Sequence, residues 1–375
     1  MNKQGVSLGR ILGIPIRLDY SWFFIFILLT WSLATVFFPA EFSDWPTVLY
    51  WTVGTATALI MFVSVLLHEL GHSVVAMRYR IAVRRITLFI FGGMAEINSE
   101  PPTAKADFWI ALAGPAASFA LAILFTLMQP VTHAAQPMLA LVKYLAYVNG
   151  ALALFNMIPG FPLDGGRILR SVLWGITHSL RRATLIAANV GRAIAFLFIL
   201  AGAWQFLTGN WTSGLWVAFV GWFLESAAAS QVQQQRLQDA LTGHRVQQVM
   251  SSNYATVPAD ATLEQLSGHH ALGNGQTSFV VVHSGIPVGW LPVSRIRQIE
   301  ASAWPTTTAA QVMTHSEQLK WIQPDEDLWT ALKKMERDGV NQMPVVADRQ
   351  VMGLLRKADV FRYLRALRES GASAS

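Results

Sequence analysis

Long uncharged, apolar runs dominate the first 230 residues, and each ends at a polar, glycine-rich or proline-rich break. A helix that crosses a bilayer needs about 20 largely apolar residues. The pattern offers such runs near 20–38, 51–77, 108–128, 187–207 and 212–230, together with a longer, interrupted one over 139–177. It therefore predicts six transmembrane helices. The first run starts well inside the chain and lacks a small-residue cleavage site, so it reads as a retained span rather than a removed signal peptide. After Gln231 a polar stretch rich in Gln continues to about Gly243, and the pattern then becomes that of a soluble domain.

Composition agrees with a lipid environment. Hydrophobic residues make up 53% of the 375 and charged residues 13%, against about a quarter charged in ordinary soluble domains. A simple cytosolic globule and a disordered chain are both excluded. Residues 1–230 hold 14 Lys/Arg and 9 Asp/Glu, and residues 231–375 hold 14 and 13. The basic excess belongs to the membrane half, where it reads as an orientation signal and not as a nucleic-acid footprint. Lys3, Arg10 and Arg17 precede the first run, Arg78, Arg80, Arg84, Arg85 and Lys105 lie between the second and third, and Arg181 and Arg182 precede the fifth. The alternate connections, near 39–50, 129–138 and 208–211, contain neither Lys nor Arg. The positive-inside rule then puts both termini in the cytoplasm. The absence of cysteine excludes disulfides, thiolate nucleophiles and Cys-type zinc sites, so any metal must be held by His and carboxylates.

Within the second run, the uncharged stretch from Trp51 to Leu67 leads directly into His68-Glu69-Leu70-Gly71-His72. Residues four apart lie one above the other on a helix, which is the geometry for two imidazoles on one zinc ion. Glu69 points beside such a metal rather than at it, where its carboxylate can take a proton from water that the metal activates. The bland alternative is a polar patch near a helix end, with the histidines bonded to neighbours and Glu69 reaching a headgroup. Three ionisable groups within about one turn of a membrane helix are expensive, which favours the functional reading. The remaining histidines, His133, His178, His244, His269, His270, His283 and His315, lack helical metal spacing and read as solvated or packed side chains.

A tetrahedral catalytic zinc takes a third protein ligand and leaves one position open. The acidic candidates at membrane depth are Asp19, Glu96, Asp164 and Glu225. Asp164 stands out, because two prolines and three glycines between Pro159 and Gly166 interrupt the fourth run around it. Broken backbone at membrane depth is tolerated only where protein or a water-filled cavity surrounds it. The competing role for Asp164 is an N-cap on the helix that resumes near Gly165.

Together, H-E-L-G-H, Phe91-Gly92-Gly93, Ala113-Gly114-Pro115 and the N-x-x-P-x-x-P-L-D-G-G-R stretch from Asn156 to Arg167 resemble the site-2 protease family of intramembrane zinc metalloproteases. More narrowly, the chain resembles the branch in which a six-span catalytic domain precedes cystathionine-β-synthase-type (CBS) domains, and the resemblance covers nearly its whole length. It implies one zinc ion held by His68, His72 and Asp164, with Glu69 as the general base. It also matches Asn156 to a residue that steadies the substrate or the reacting carbonyl, where an amide can donate to a developing oxyanion. Repair of a proline-broken helix is the alternative there. Gly92 and Gly93 match a membrane-associated hairpin on which a substrate strand can pair, although an ordinary tight turn explains them as well. Gly114-Pro115 reads as helix packing rather than chemistry.

The tail contains a repeat. Val249-Met250 corresponds to Val312-Met313, Pro258 to Pro324, Leu266 to Leu332, the run from Phe279 to Val282 to that from Pro344 to Ala347, and Gly289 to Gly353. Each unit reads as a V-M opening, a strand before Pro, an amphipathic helix, two short strands and a last helix, and the pair resembles a tandem CBS module. A cleft in such modules often binds an adenine nucleotide, using Thr or Ser and then Asp shortly after the second strand. The second copy keeps Asp359 but has Arg356 at the hydroxyl position, and the first copy has Pro292 and Arg295 in place of both. Arg356 and Lys357 are then candidate phosphate contacts and Asp359 a candidate ribose contact, set against a purely structural or dimerising module.

The expected fold class is a polytopic α-helical membrane protein of about six transmembrane helices with a site-2 protease-like core, followed by a soluble α+β tandem CBS module. The expected boundaries are 1–230 for the metalloprotease domain, 231–245 for a helical linker, and 246–303 and 304–370 for the two CBS repeats. The implied function is zinc-dependent cleavage of a transmembrane or membrane-adjacent segment of a membrane-protein substrate, near the cytoplasmic face of a prokaryotic inner (plasma) membrane. Lipid surrounds the enzyme, no nucleic acid takes part, and the CBS pair has an adenine nucleotide or a homodimer contact as its candidate role. Water would enter at the broken Asn156–Gly166 segment, and the substrate helix would unwind by strand addition near Phe91–Ile97. A CBS-regulated transporter or channel is the rival reading, but it leaves Glu69 between two helically spaced histidines unexplained. A catalytically dead scaffold is a second rival, and the intact set of His68, Glu69, His72 and Asp164 argues against it.

Overall fold

The structure, a computed structural model, describes residues 5–90, 92–97, 99–252, 254–268, 278–284, 286–315, 320–347 and 350–372. The chain forms two compact units, Met1–Gln235 and Arg236–Ser375.

In the first unit the described residues include six helices long and apolar enough to cross a membrane, and each coincides with one of the apolar runs. Helix α1 (Tyr20–Ser32) continues through a π-helical stretch, Leu33–Phe37, into α2 (Phe38–Glu41). The others are α3 (Thr47–Arg78), α4 (Ala104–Thr132), α5 (Gln136–Asn156), α7 (Leu180–Leu207) and α8 (Trp211–Leu241). Between α5 and α7 lies α6 (Asp164–Thr177), a shorter helix with charged and apolar residues on different faces. Large apolar side chains such as Phe24, Ile27, Leu127, Leu207 and Trp216 stay on the outer surface of these helices. In water that would be a liability; in lipid the tails cover them. Small residues are buried instead, among them Ala58, Ala111, Ala187 and Ala188, because helices in a bilayer associate through close backbone packing rather than through the hydrophobic effect. The glutamine-rich stretch after Gln231 is the uninterrupted end of α8.

A small sheet flanks the helices. The basic flank before the first span folds as a hairpin of β1 (Val6–Ile11) and β2 (Ile14–Leu18). Strand β2 runs parallel to β3 (Val83–Phe89), and β3 pairs antiparallel with β4 (Gly92–Ile97), giving the order β1-β2-β3-β4 with β4 at an edge. Alternate residues of β2 point to one face: Ile14 and Ile16 bury with Ile86 against Leu70 of α3, and Leu18 with Leu88 against Trp22 and Phe62. This packing seats the sheet on the turn of α3 that carries the H-E-L-G-H residues. Asp19 caps α1 by accepting bonds from the hydroxyl (2.7 Å) and the backbone N–H (2.9 Å) of Ser21. These bonds hold its carboxyl below the usual range.

The second unit shows both repeats. In the first, strand Ala255–Pro258 pairs parallel with Ser278–His283, which pairs antiparallel with Ile286–Pro292. In the second, Ile322 bridges in parallel to Val345 of Gln342–Ala347, which pairs antiparallel with Gln350–Arg356. The amphipathic helices are Leu263–Gly268 and Leu328–Asp338. The two V-M openings are exchanged: Thr314 pairs with Trp290 of the first repeat, and Ser251 bridges to Leu354 of the second. Met313 accordingly packs where Gly289 lacks a side chain, and Met250 where Gly353 does. Each repeat thus completes the other's sheet, and this explains why the glycines and the V-M pairs recur together. His269 and His270 lie outside the described residues.

Candidate metal centre

Helix α3 passes through H-E-L-G-H without a break, so His68 and His72 stand one turn apart, both buried, with ring centroids 4.9 Å apart. Opposite them is Asp164, the first residue of α6. Its Oδ2 lies 3.1 Å from His68 Nε2 and 3.2 Å from His72 Nε2, and the two nitrogens are 3.3 Å from each other. Among the described residues these form a His, His, Asp group whose donor atoms converge closely enough to hold a metal ion. The triangle can be tested against zinc. Tetrahedral bonds of about 2.0–2.1 Å place their ligand atoms about 3.3–3.4 Å apart, so the spacing of the three donors fits a zinc ion that they would hold together.

Helix α4 holds the imidazoles from behind. His72 Nδ1 lies 2.6 Å from the carbonyl oxygen of Ile110. A carbonyl only accepts, so Nδ1 carries the hydrogen and Nε2 keeps its lone pair for a metal. His68 Nδ1 is 2.9 Å from Ser118 Oγ. Between these two anchors, a Cβ on Gly114 would strike His72 Nε2 and lie 2.7 Å from His68 Nε2. Gly114 is therefore a packing residue whose packing partners are the two histidines themselves.

The break before α6 has its own physical logic. Across Met157–Leu163 the backbone N–H groups find acceptors, with Gly160 N–H donating to Ile158 (2.9 Å) and Leu163 N–H to Gly160 (3.1 Å), while Phe161 N–H reaches Ala187 of α7 (3.4 Å). Such pairing is required at membrane depth. The loop folds back onto the first turn of α6 backbone against backbone: a Cβ on Gly165 would lie 2.6 Å from the Met157 carbonyl carbon, and one on Gly166 2.7 Å from Gly160 O. The glycines that look like helix breakers in the sequence are places of close approach. Leu163, not Asp164, stands at the cap position, and Asp164 turns its carboxylate to the histidines.

Glu69 is half-buried and faces β4, where a Cβ on Gly93 would meet its Cγ and lie 3.0 Å from its carboxyl carbon. Gly92 opens β4 opposite Phe89 at φ +125°, a conformation that residues with side chains rarely adopt. Phe91 lies outside the described residues. Asn156, at the end of α5, donates to Leu152 O of its own helix at 3.0 Å. The fully buried asparagine of α5 is Asn149, which reaches Ser64, one turn before His68, at 3.3 Å. The other acidic candidates are engaged elsewhere: Asp19 in its cap, Glu96 with Arg85 (2.6 Å), and Glu225 with Arg192 (3.1 Å).

In the second unit, Arg356 and Lys357 line a cleft of about 980 Å³ together with Arg297, Lys320, Asn341 and Gln342. Asp359 is buried and held by Arg356 at 2.7 and 3.1 Å. Arg295 bonds Thr314 at 2.9 Å. Sequence reasoning missed Ser118 and the Ile110 carbonyl of α4. A lone serine in an apolar run is a weak signal, and a backbone carbonyl leaves none.

Similarity to known proteins extends over nearly the whole chain. The family model described as peptidase family M50 matches residues 56–134 and 126–199, and the CBS domain model matches residues 309–366. Rip3 of Mycobacterium tuberculosis, a zinc metalloprotease by name, is 34% identical over 98% of this chain and 94% of its own. The zinc metalloprotease MJ0392 of Methanocaldococcus jannaschii is 27% identical over 97% of both chains. A solved structure, the site-2 protease from Methanocaldococcus jannaschii, is 27% identical with a TM-score of 0.41, covering 60% of this chain and 94% of its own.

Proposed function

Because the chain belongs to peptidase family M50, the site-2 proteases, we propose that it is an intramembrane zinc endopeptidase in which His68, His72 and Asp164 hold the metal and Glu69 is the general base. The observation that carries this reading is the triangle of donor atoms 3.1–3.3 Å apart. Zinc, when bound, supplies a Lewis acid for the scissile carbonyl and lowers the pKa of water toward neutrality. The rest is done by the chain. Ile110 and Ser118 fix the ring orientations of the two histidines. Glu69, next to His68, takes the proton of the attacking water and returns it to the leaving amine. Strand β4 stands at the end of the sheet order beside Glu69, and a substrate segment pairing there would leave its helix and present its peptide bond.

The substrate is a transmembrane or membrane-adjacent segment of another membrane protein. The distribution of Lys and Arg supports cytoplasmic termini and a site opening toward the cytoplasmic side, in a prokaryotic inner membrane. Four cationic side chains around the cleft of the second unit, Arg297, Lys320, Arg356 and Lys357, support an anionic ligand there. An adenine nucleotide would meet them through its phosphates. Asp359, already paired with Arg356, is a weaker partner for a ribose.

The decisive experiment compares membrane proteomes of cells carrying the wild type and Glu69→Gln. The variant should keep its zinc and accumulate uncut membrane proteins. Full cleavage by Glu69→Gln would overturn the mechanism. Calorimetric titration of the detergent-solubilised full chain with ATP, ADP and AMP tests the cleft, and the absence of heat for all three would dispose of the nucleotide.

A further inference from the structure

Asp107, in the first turn of α4, has a fully buried side chain. A buried carboxylate is costly unless it is both neutralised and hydrogen-bonded. Here Arg170 makes a bidentate pair with it, Nε to Oδ2 at 2.8 Å and Nη2 to Oδ1 at 2.6 Å, and Arg167 adds a third bond at 3.3 Å. The same Arg170 guanidinium lies 5.5 Å from the centre of the Phe161 ring, in the loop that precedes α6.

Both arginines belong to the helix that begins with Asp164, three and six residues further on. The first turn of α6 has little local support: Leu163 makes no side-chain cap, and Gly165 and Gly166 follow. Glycine costs about 1 kcal/mol relative to alanine in a helix. The place of this helix end must be set by tertiary contacts. One of them is the ion cluster on α4, the helix whose Ile110 and Ser118 also hold the two histidines.

We propose that Asp107, through Arg170 and Arg167, is a positioning device for the third metal ligand: it holds Asp164 at ligating distance from His68 and His72 and so sets the zinc affinity of the site. Helix α4 then acts as a common ruler for all three ligands, with Asp107, Ile110, Gly114 and Ser118 on one face at helical spacing. The inference rests on the reading of His68, His72 and Asp164 as zinc ligands.

The test measures zinc affinity of the purified full chain in detergent, by competition with a chelator, alongside thermal unfolding. The wild type should bind one equivalent and Asp164→Ala should lose it; failure of either overturns the ligand assignment itself. The double variant Asp107→Leu/Arg170→Met replaces the buried pair with apolar groups of similar size, a change that other buried ion pairs tolerate. Its unfolding temperature should stay near that of the wild type, and its zinc affinity should fall about 10- to 100-fold, as for other residues that orient ligands. A folded double variant with wild-type zinc affinity overturns the proposal, because a merely structural pair would not move that quantity. Should the double variant not fold, Arg170→Lys keeps the charge and loses the bidentate geometry; it should weaken zinc binding, and wild-type affinity in that variant overturns the proposal equally.

Discussion

Replacing Gly114 by alanine adds one methyl group at the point where α4 touches both histidines. The new Cβ would lie 2.7 Å from His68 Nε2 and closer still to His72 Nε2, whereas ordinary contacts begin near 3.4 Å. At least one ring must therefore retreat by about 0.7 Å, and the other by more. Metal–ligand distances keep to within about 0.2 Å of their usual values, and the shift exceeds that range several-fold. The rings cannot simply slide, because their Nδ1 atoms are tied to Ile110 and Ser118 of the same helix. We expect zinc affinity to fall at least about 100-fold, or about 2.7 kcal/mol, while overpacking costs about 1–3 kcal/mol of stability. The assay is zinc content of the purified full chain after dialysis against graded zinc buffers, with cleavage of a membrane substrate measured in parallel. Stoichiometric zinc at wild-type affinity in Gly114→Ala would refute the assignment of His68 and His72 as ligands in this geometry.

Other perturbations separate the parts of the site. Ser118→Ala removes the partner of His68 Nδ1 and should weaken zinc binding about 10- to 100-fold, read by the same chelator competition, with the helices intact by circular dichroism. Gly93→Ala pushes β4 against the Glu69 side chain; cleavage should fall by about 100-fold with zinc content unchanged, so a parallel loss of zinc would count against a role confined to the base and the substrate strand. Gly353→Val should clash with Ser251 O and Met250 across the exchanged openings. It should destabilise the second unit by about 1–3 kcal/mol, seen as a lower unfolding temperature with zinc binding preserved.

Much of this architecture was legible because its determinants are local. Apolar runs of span length predict helices wherever they occur, and the six runs match the six long helices. The i, i+4 spacing of His68 and His72 fixes their common face through helix geometry alone. The repeat in the tail is legible for the same reason, since each unit carries its own punctuation of glycine, proline and V-M pairs. Less was read from the alternation of Ile14, Ile16 and Leu18, a period-2 signal hidden beside basic residues that suggested only a membrane flank.

The sequence by itself determined which residue types were present for zinc chemistry and on which helix the two histidines lay. The sequence singled out Asp164 as the third candidate, and only the tertiary structure brings its carboxylate against the two histidines, across 92 and 96 residues of chain. The tertiary structure also set α4, which carries no metal-ligand motif, against both histidines through the Ile110 carbonyl, Ser118 and Gly114. The reason is physical. A ligand's identity is written in its side chain, whereas its position to within a few tenths of an ångström depends on the packing of helices distant in the chain, and that packing runs through atoms that every residue possesses.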